Sequence, residues 1–287
     1  MTTAASGTTQ WAKNRYGQRI LIDPTDFIGQ KVLRNTIYDL ETLLLLEDLF
    51  GRLKPEVILD IGANIGNHTL MFSRFAHKVL SFEPGARAFS MLSQNLQANG
   101  LNHVQPFQIG LSDSDTVQTL YVETSGNLGG SSLVRTNMDT QNYEEDIITL
   151  KVGDAVLHEQ APGAIDFIKI DVEGHEHAVI RGLRHTISRH RPVILMEWEQ
   201  DKGWLLEEHA RPSILSEYLF YPLIWNTSTD YWKRQPMGWV RRNWLRVTGT
   251  KQRVPCPLAI SRTFSRVSDI LLVPKEKEAL VDSLVFR

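Results

Sequence analysis

The sequence predicts an α/β fold: a Rossmann-like, doubly wound sheet of seven strands, mostly parallel, with an insert between its last strands. Three observations carry this. Short apolar, β-branched runs recur along the chain, as buried parallel strands do. Helical patterns separate them, which makes βαβ units. And the run Val57-Ile58-Leu59-Asp60-Ile61 passes through Gly62-Ala63-Asn64-Ile65-Gly66-Asn67-His68 into the helical pattern Leu70, Met71, Phe72, Phe75. Strand, glycine turn and helix in succession open a nucleotide-binding unit, with glycines that let backbone approach a ligand closely.

Composition sets outer bounds. The chain has 287 residues, enough for a sizeable core in one elaborated domain. Residues 1–55 read as an N-terminal strand and helix extension, and 56–287 as the main domain with an insert at about 226–266. A charged fraction of 22% and a hydrophobic fraction of 42% are ordinary globular values. The net charge of -2 supplies no overall pull toward nucleic acid or an anionic membrane. Cys256 is the single cysteine, which excludes an internal disulfide and a cysteine-based zinc site. Met1 to Gln10 is small and polar, and no run approaches the roughly 18 apolar residues of a membrane span. A soluble, cytoplasmic protein is expected.

Taken in order, Met1 to Gln10 reads as a disordered lead-in, and Arg19 to Asp23 as a short strand stopped by Pro24. Ile37 to Phe50 carries a helical pattern ended by Gly51 and Pro55. After the glycine turn, Lys78 to Phe82 is a second strand that ends at Glu83-Pro84. A carboxylate there can accept hydrogen bonds from both hydroxyls of a ribose. Ala86 to Asn99 is helical with Gly100 as its cap, and Val104 to Ile109 is a third strand leading into Gly110-Leu111-Ser112-Asp113.

Val117 to Val122 and Ile147 to Val152 read as strands outside the βα alternation, either a hairpin or an extension of the sheet. Between them Gly126 to Ser132 is a glycine- and hydroxyl-rich loop that either borders a substrate pocket or is a plain connection. Phe167 to Ile170 is a further buried strand, followed by Asp171-Val172-Glu173-Gly174-His175-Glu176 and a helix from His177 to Leu183. Ligands of open α/β sheets bind outside the carboxyl ends of the strands. Asp60, Glu83 and Asp171 each end a strand and should face one crevice. Arg191 to Glu199 is the next strand, with Glu197 and Glu199 on one face. Ile214 to Phe220 reads as a helix, and Pro222 to Trp225 and Ser268 to Pro274 as the last strands.

The insert interleaves Tyr231, Trp232, Trp239 and Trp244 with Lys233, Arg234, Arg241, Arg242, Arg246, Lys251 and Arg253. That pattern suits glycan stacking, single-stranded nucleic acid, a lipid interface, an oligomer contact or a solvated lid.

The glycine spacing separates nucleotide classes. A dinucleotide fingerprint wants a glycine where Asn64 stands, so NAD binding is disfavoured. Asp60-x-Gly62-x-Asn64-x-Gly66 instead resembles the first motif of class I S-adenosylmethionine-dependent methyltransferases. With Phe82-Glu83-Pro84, Gly110-Leu111-Ser112-Asp113 and Ile168-Lys169-Ile170-Asp171-Val172-Glu173-Gly174-His175-Glu176, the chain resembles the FkbM family of these enzymes over about residues 56–200. A weaker echo lies at Ile37-Tyr38-Asp39-Leu40-Glu41, where Thr36 and Asp39 depart from the family's Gly-x-Tyr-Glu.

The resemblance implies S-adenosyl-L-methionine held by Asp60, Gly62, Asn64, Gly66, Asn67, Glu83, Pro84, Asp113 and Asp171, with Asp113 toward the adenine. It implies O-methylation of a sugar, polysaccharide or polyketide-type hydroxyl. RNA methylation, or a catalytically silent scaffold acting through the insert, are the alternatives, and nucleic acid is the less expected partner. An alcohol needs its proton accepted, so a general base is expected. His175 and Asp171 are the candidates, with Glu173 orienting acceptor or base. A like-charge cluster of Asp171, Glu173, Glu176 and Glu197 would raise some carboxyl pKa values. The same carboxylates have the chemistry for Mg²⁺, but no spacing fixes a ligand geometry, so no metal residue is assigned. Acceptor and oligomeric state stay open.

Overall fold

The computed structural model describes residues 9–123, 131, 133, 143–198, 204, 213–225, 253–255 and 269–282. An N-terminal hairpin, β1 (Gln10–Lys13) with β2 (Arg19–Ile22), leads into α1 (Phe27–Asn35) and α2 (Leu40–Leu53). The βα alternation follows: β3 (Val57–Ile61), α3 (Asn67–Phe72), β4 (Lys78–Phe82), α4 (Ala86–Ala98) and β5 (Val104–Phe107). It resumes with α5 (Gly153–Gln160), β9 (Ile165–Ile170), α6 (Glu176–Gly182), α7 (Arg184–His190) and β10 (Val193–Glu197). The excursion between them holds β6 (Gly110–Ser112), β7 (Thr116–Glu123) and β8 (Tyr143–Val152). The chain closes with β11 (Tyr218–Trp225), β12 (Arg253–Pro255), β13 (Asp269–Pro274) and a short helix Ala279–Asp282.

The main sheet runs β12-β11-β13-β10-β9-β3-β4-β5. From β5 to β10 all neighbours are parallel, while β13 enters antiparallel between β10 and β11. Seven of these strands are the expected ones. The eighth, β12, comes from the insert and pairs with the outer edge of β11.

Strand alternation sorts the apolar residues onto two faces. Ile58, Val79, Phe167, Val193 and Leu271 pack with Leu43, Leu46, Leu49 and Phe50 of α2. Leu59, Ile61, Leu80, Ile168 and Ile194 pack with Val179, Ile180, Leu183 and Ile187 of α6 and α7. Ile20, Ile22 and Val32 of the N-terminal segment belong to the first layer. Each fully buried side chain of this kind contributes roughly 1.5–3 kcal/mol, which ties residues 19–53 firmly to the sheet.

Several expectations need correction. The helix read at Ile37 to Phe50 is α2, begun later because Thr36 and Asp39 adopt left-handed φ of 63° and 54°. It runs through Gly51 and ends where the N–H of Lys54 returns to the carbonyl of Phe50. Asp26 caps α1, an element the sequence reading missed, by accepting from the N–H groups of Ile28 and Gly29. The helix read at Ile214 to Phe220 is instead a turn over 214–217 and strand from Tyr218 onward, where Tyr218 to Pro222 pair with β13. The strand read to Ile109 stops at Phe107. Gly110 to Ser112 then joins a separate three-stranded sheet, β6-β8-β7, so the excursion is a hairpin and not an extension of the main sheet. The loop Gly126 to Ser132, apart from Ser131, Glu199 and nearly all of the insert lie outside the described residues.

Candidate active site

A cavity of about 370 Å³ opens at the carboxyl ends of β3, β4, β9 and β10. Its floor is the loop after β3, one wall is Glu83-Pro84-Gly85, and its roof is the inner face of β7 and β8, where Leu120, Ile148 and Leu150 project. Phe27, Ile28, Tyr38 and Asp39 close it from the N-terminal segment. The parallel register explains the convergence: Ile61 sits level with Phe82 on one side and Ile170 on the other, so Gly62, Glu83 and Asp171 leave the sheet at one height.

Glu83 is the best-defined group. Its two carboxylate oxygens accept from the backbone N–H of Asn64 at 2.9 Å and of Gly85 at 2.8 Å. Asn64 presents its N–H from a left-handed conformation, φ 51°, which asparagine tolerates better than most residues. Burial pushes the Glu83 carboxyl up to about 7, against the two N–H groups and Lys169, which favour its ionised form. A carboxylate offers about four lone-pair sites. Two remain for a ligand with adjacent hydroxyls.

The glycines also serve the protein's own packing. A Cβ on Gly62 (φ 77°) would lie 1.8 Å from the carbonyl oxygen of Asp171, and one on Gly66 (φ 91°) 2.7 Å from Leu92. They let strands and helices close on one another, and the atoms they admit belong to the protein itself.

Behind the floor, Asp60 and Lys169 stand opposite each other on β3 and β9. Lys169 Nζ donates to the carbonyl of Gly62 at 3.2 Å and lies 3.1 Å from Asp171 and 3.7 Å from Asp60. Burial works against its charge, but the Asp171 and Asp60 carboxylates outweigh that and hold its pKa above the ordinary lysine value. Asp60 also accepts from the hydroxyl of Thr69. Asp171, Glu173 and Glu197 each place an oxygen within 4.8 Å of the others at the far end of the cavity. Asp269 joins that rim because antiparallel β13 begins opposite Glu197. His175 also lines the cavity, half-buried, on the side of β6, with Nε2 2.9 Å from the hydroxyl of Ser112. Burial lowers its pKa below the ordinary histidine value, against the raising influence of Asp113 and Glu176.

Of the residues expected at the site, Gly62, Asn64, Asn67, Glu83, Pro84, Asp171, Glu173 and His175 line the cavity. The Asn67 side chain is spent on the backbone of Tyr38, donating to its carbonyl at 3.1 Å and accepting from its N–H at 3.3 Å. Asp60 and Gly66 lie behind the wall. Asp113 is off the cavity, paired with Arg181, so an adenine contact from its side chain is not what the geometry provides. Glu176 leaves the acidic cluster too: it is buried and accepts from the N–H of Gly174 at 2.9 Å, closing its own turn.

Lys169, Tyr38, His68 and Asp269 were missed. Lys169 carried a usable signal, a lysine inside an otherwise apolar strand, since a buried charge needs partners. His68 lies 3.5 Å from Asp39 and packs on Phe72, a pairing that local sequence does not reveal.

Comparison with known proteins places the chain among methyltransferases. Residues 60–220 match the methyltransferase FkbM domain, and the chain belongs to this family. It is 32% identical over 204 residues to the methyltransferase sdnD of Sordaria araneosa, covering 60% of this chain and 74% of that protein. It is 29% identical over 177 residues to the hexuronic acid methyltransferase AglP of Haloferax volcanii, covering 56% and 69%. Among solved structures, a methyltransferase FkbM from Methylobacillus flagellatus KT is similar over 58% of this chain and 39% of that one, with 20% identity and a TM-score of 0.41. Among the described residues no helix is long and apolar enough to cross a membrane.

Proposed function

We propose that this chain transfers the methyl group of S-adenosyl-L-methionine to a hydroxyl of a sugar, polysaccharide or polyketide-type small molecule. The observation that carries the reading is Glu83. It is a buried carboxylate at a strand end, fixed by two backbone N–H groups, with capacity left for a pair of vicinal hydroxyls. The cofactor, when bound, supplies an electrophilic methyl on a sulfonium. Glu83 would hold its ribose, the Gly62 to Ile65 backbone would run beside it, and Pro84 with Leu120 and Leu150 would enclose its base.

His175 and Asp171 are the candidate bases, with Glu173 orienting the acceptor. These residues would hold the acceptor hydroxyl toward the methyl group that the cofactor would supply, and the base would take up the acceptor's proton. His175 suits this because burial keeps the ring neutral. Asp171 is already engaged with Lys169, so its role is to set the charge of the pocket and to orient. Magnesium forms no part of the proposal. That AglP is a hexuronic acid methyltransferase supports a sugar-type acceptor. In this reading the 1–55 extension and the 56–287 domain form one working unit, because Tyr38 and Asp39 line the cavity. A cytoplasmic setting agrees with a single cysteine in 287 residues.

The test is calorimetric titration of the full chain with S-adenosylmethionine and, separately, NAD, repeated on Glu83→Ala. Micromolar affinity for the first alone, about -8 kcal/mol, with at least a tenfold loss in the variant, is the expected result. Binding of NAD instead, or a variant that binds S-adenosylmethionine unchanged, would overturn it. Labelled methyl transfer to a panel of sugars and polyols then addresses the acceptor.

A further inference from the structure

We infer that Ser112 is a positioning residue: with Asp113 and Arg181 behind it, it locks His175 in the tautomer that carries its proton on Nε2 and turns Nδ1 into the base. This rests on the proposed role of His175 and adds residues that neither the fold nor the motif assigns. The argument is one of donors and acceptors. Ser112 Oγ lies 3.4 Å from Asp113 Oδ1 and 2.9 Å from His175 Nε2. An ionised carboxylate only accepts, so whenever the 3.4 Å contact is made it is the serine that donates. The serine oxygen must then accept, and the proton it accepts is the one on Nε2. A neutral imidazole has one N–H, which leaves the lone pair on Nδ1.

Asp113 is kept ionised by the guanidinium of Arg181, whose hydrogen bond and charge outweigh the opposing effect of burial. Ser112 itself is 2% exposed, so water does not compete for its hydroxyl.

Backbone packing holds the same geometry. Ser112 ends β6 and His175 precedes α6, and the two elements meet at Gly182. A Cβ on Gly182 would lie 1.9 Å from the carbonyl oxygen of Ser112, so only glycine permits this approach. The pairing therefore joins a serine after the third strand to a histidine after the fourth, 63 positions apart. It also gives Asp113, expected at the adenine, a different task.

The experiment is long-range proton–nitrogen correlation on the full chain with ring-labelled histidine, the His175 signals being those lost in His175→Gln. Expected are a protonated-type Nε2 and an unprotonated-type Nδ1 at neutral pH. In Ser112→Ala the two nitrogens move toward averaged values, Ser112→Thr restores the original pattern, and Asp113→Ala moves it as Ser112→Ala does. Turnover of labelled methyl into acceptor falls about tenfold in Ser112→Ala, with the affinity for S-adenosylmethionine unchanged. A proton on Nδ1 in the unmodified chain, or an unaltered ratio in Ser112→Ala, overturns the proposal. Should Ser112→Ala fail to fold, Asp113→Ala decides, since Asp113 lies at the surface and its loss spares the core. If His175→Ala keeps full turnover, the base assignment fails while the tautomer result stands, so the two failures are distinguishable.

Discussion

At the ends of β3 and β4 a single carboxylate, Glu83, is held by backbone N–H groups, whereas at the ends of β9 and β10 three carboxylates gather with one another and with a lysine side chain. Glu83 is 8% exposed; the side chain of Asp171 is 44% exposed. The first half depends on a short loop folding correctly. The second depends on side chains contributed by β9, β10, β13 and the N-terminal segment. Backbone donors are indifferent to most substitutions, so the first half suits a ligand common to a whole family. Side-chain clusters change with single mutations, so the second half is where acceptor choice can diverge.

Four variants or conditions would break or sharpen this contrast. The largest effect is expected from His175→Ala, which should lower methyl transfer by about 10²–10⁴-fold with the cofactor dissociation constant nearly constant, read by labelled transfer beside calorimetry. A parallel loss of cofactor affinity would show that the halves are not separable. Lys169→Met should come next. It leaves the carboxylate of Asp60 buried beside an apolar group, at a cost of about 3–5 kcal/mol, seen as a lowered denaturant midpoint. Glu83→Gln, which keeps shape but loses charge, should weaken the cofactor by about 1.5–3 kcal/mol with little change in the unfolding midpoint.

The smallest effect is one of pH. Because the folded-state pKa of Glu83 is raised from 4.5 to about 7, its ionised form becomes the main one only above that value. Cofactor affinity should therefore climb about tenfold from pH 6 to pH 8, and Glu83→Gln should flatten the rise. The stability contribution runs the other way. A raised folded pKa gives stability that is present below the unfolded value near 4.5 and lost as pH rises through about 7, measurable as the pH dependence of unfolding without ligand.

The same contrast explains what could be read from sequence. Strands β3, β4, β9 and β10 are apolar runs with carboxylates at their ends, so Glu83 and Asp171 were identifiable from local pattern and one topological rule. Lys169 to Gly62 spans 107 positions, and nothing local to either residue announces the contact. Asp113 was misplaced because Gly110-Leu111-Ser112-Asp113 follows a main-sheet strand in sequence yet pairs with β8 in space. Tyr38 was visible as a motif echo, but its place at the cavity depends on Asn67 gripping its backbone. Of the two left-handed residues near it, Thr36 is not of a type that signals such a turn in sequence, whereas Asp39 is of a type that tolerates one.

The position of β13 bears on how the polypeptide is made. It fills the gap between β10 and β11, although both leave the ribosome before it. Until Asp269–Pro274 emerges, the edges of Val193–Glu197 and Tyr218–Trp225 that it pairs with in the folded sheet lack that partner. Such edges are templates for mispairing with another chain. The seam is filled by the same strand that brings Asp269 to the cavity rim, so synthesis completes the sheet and the pocket in one late step.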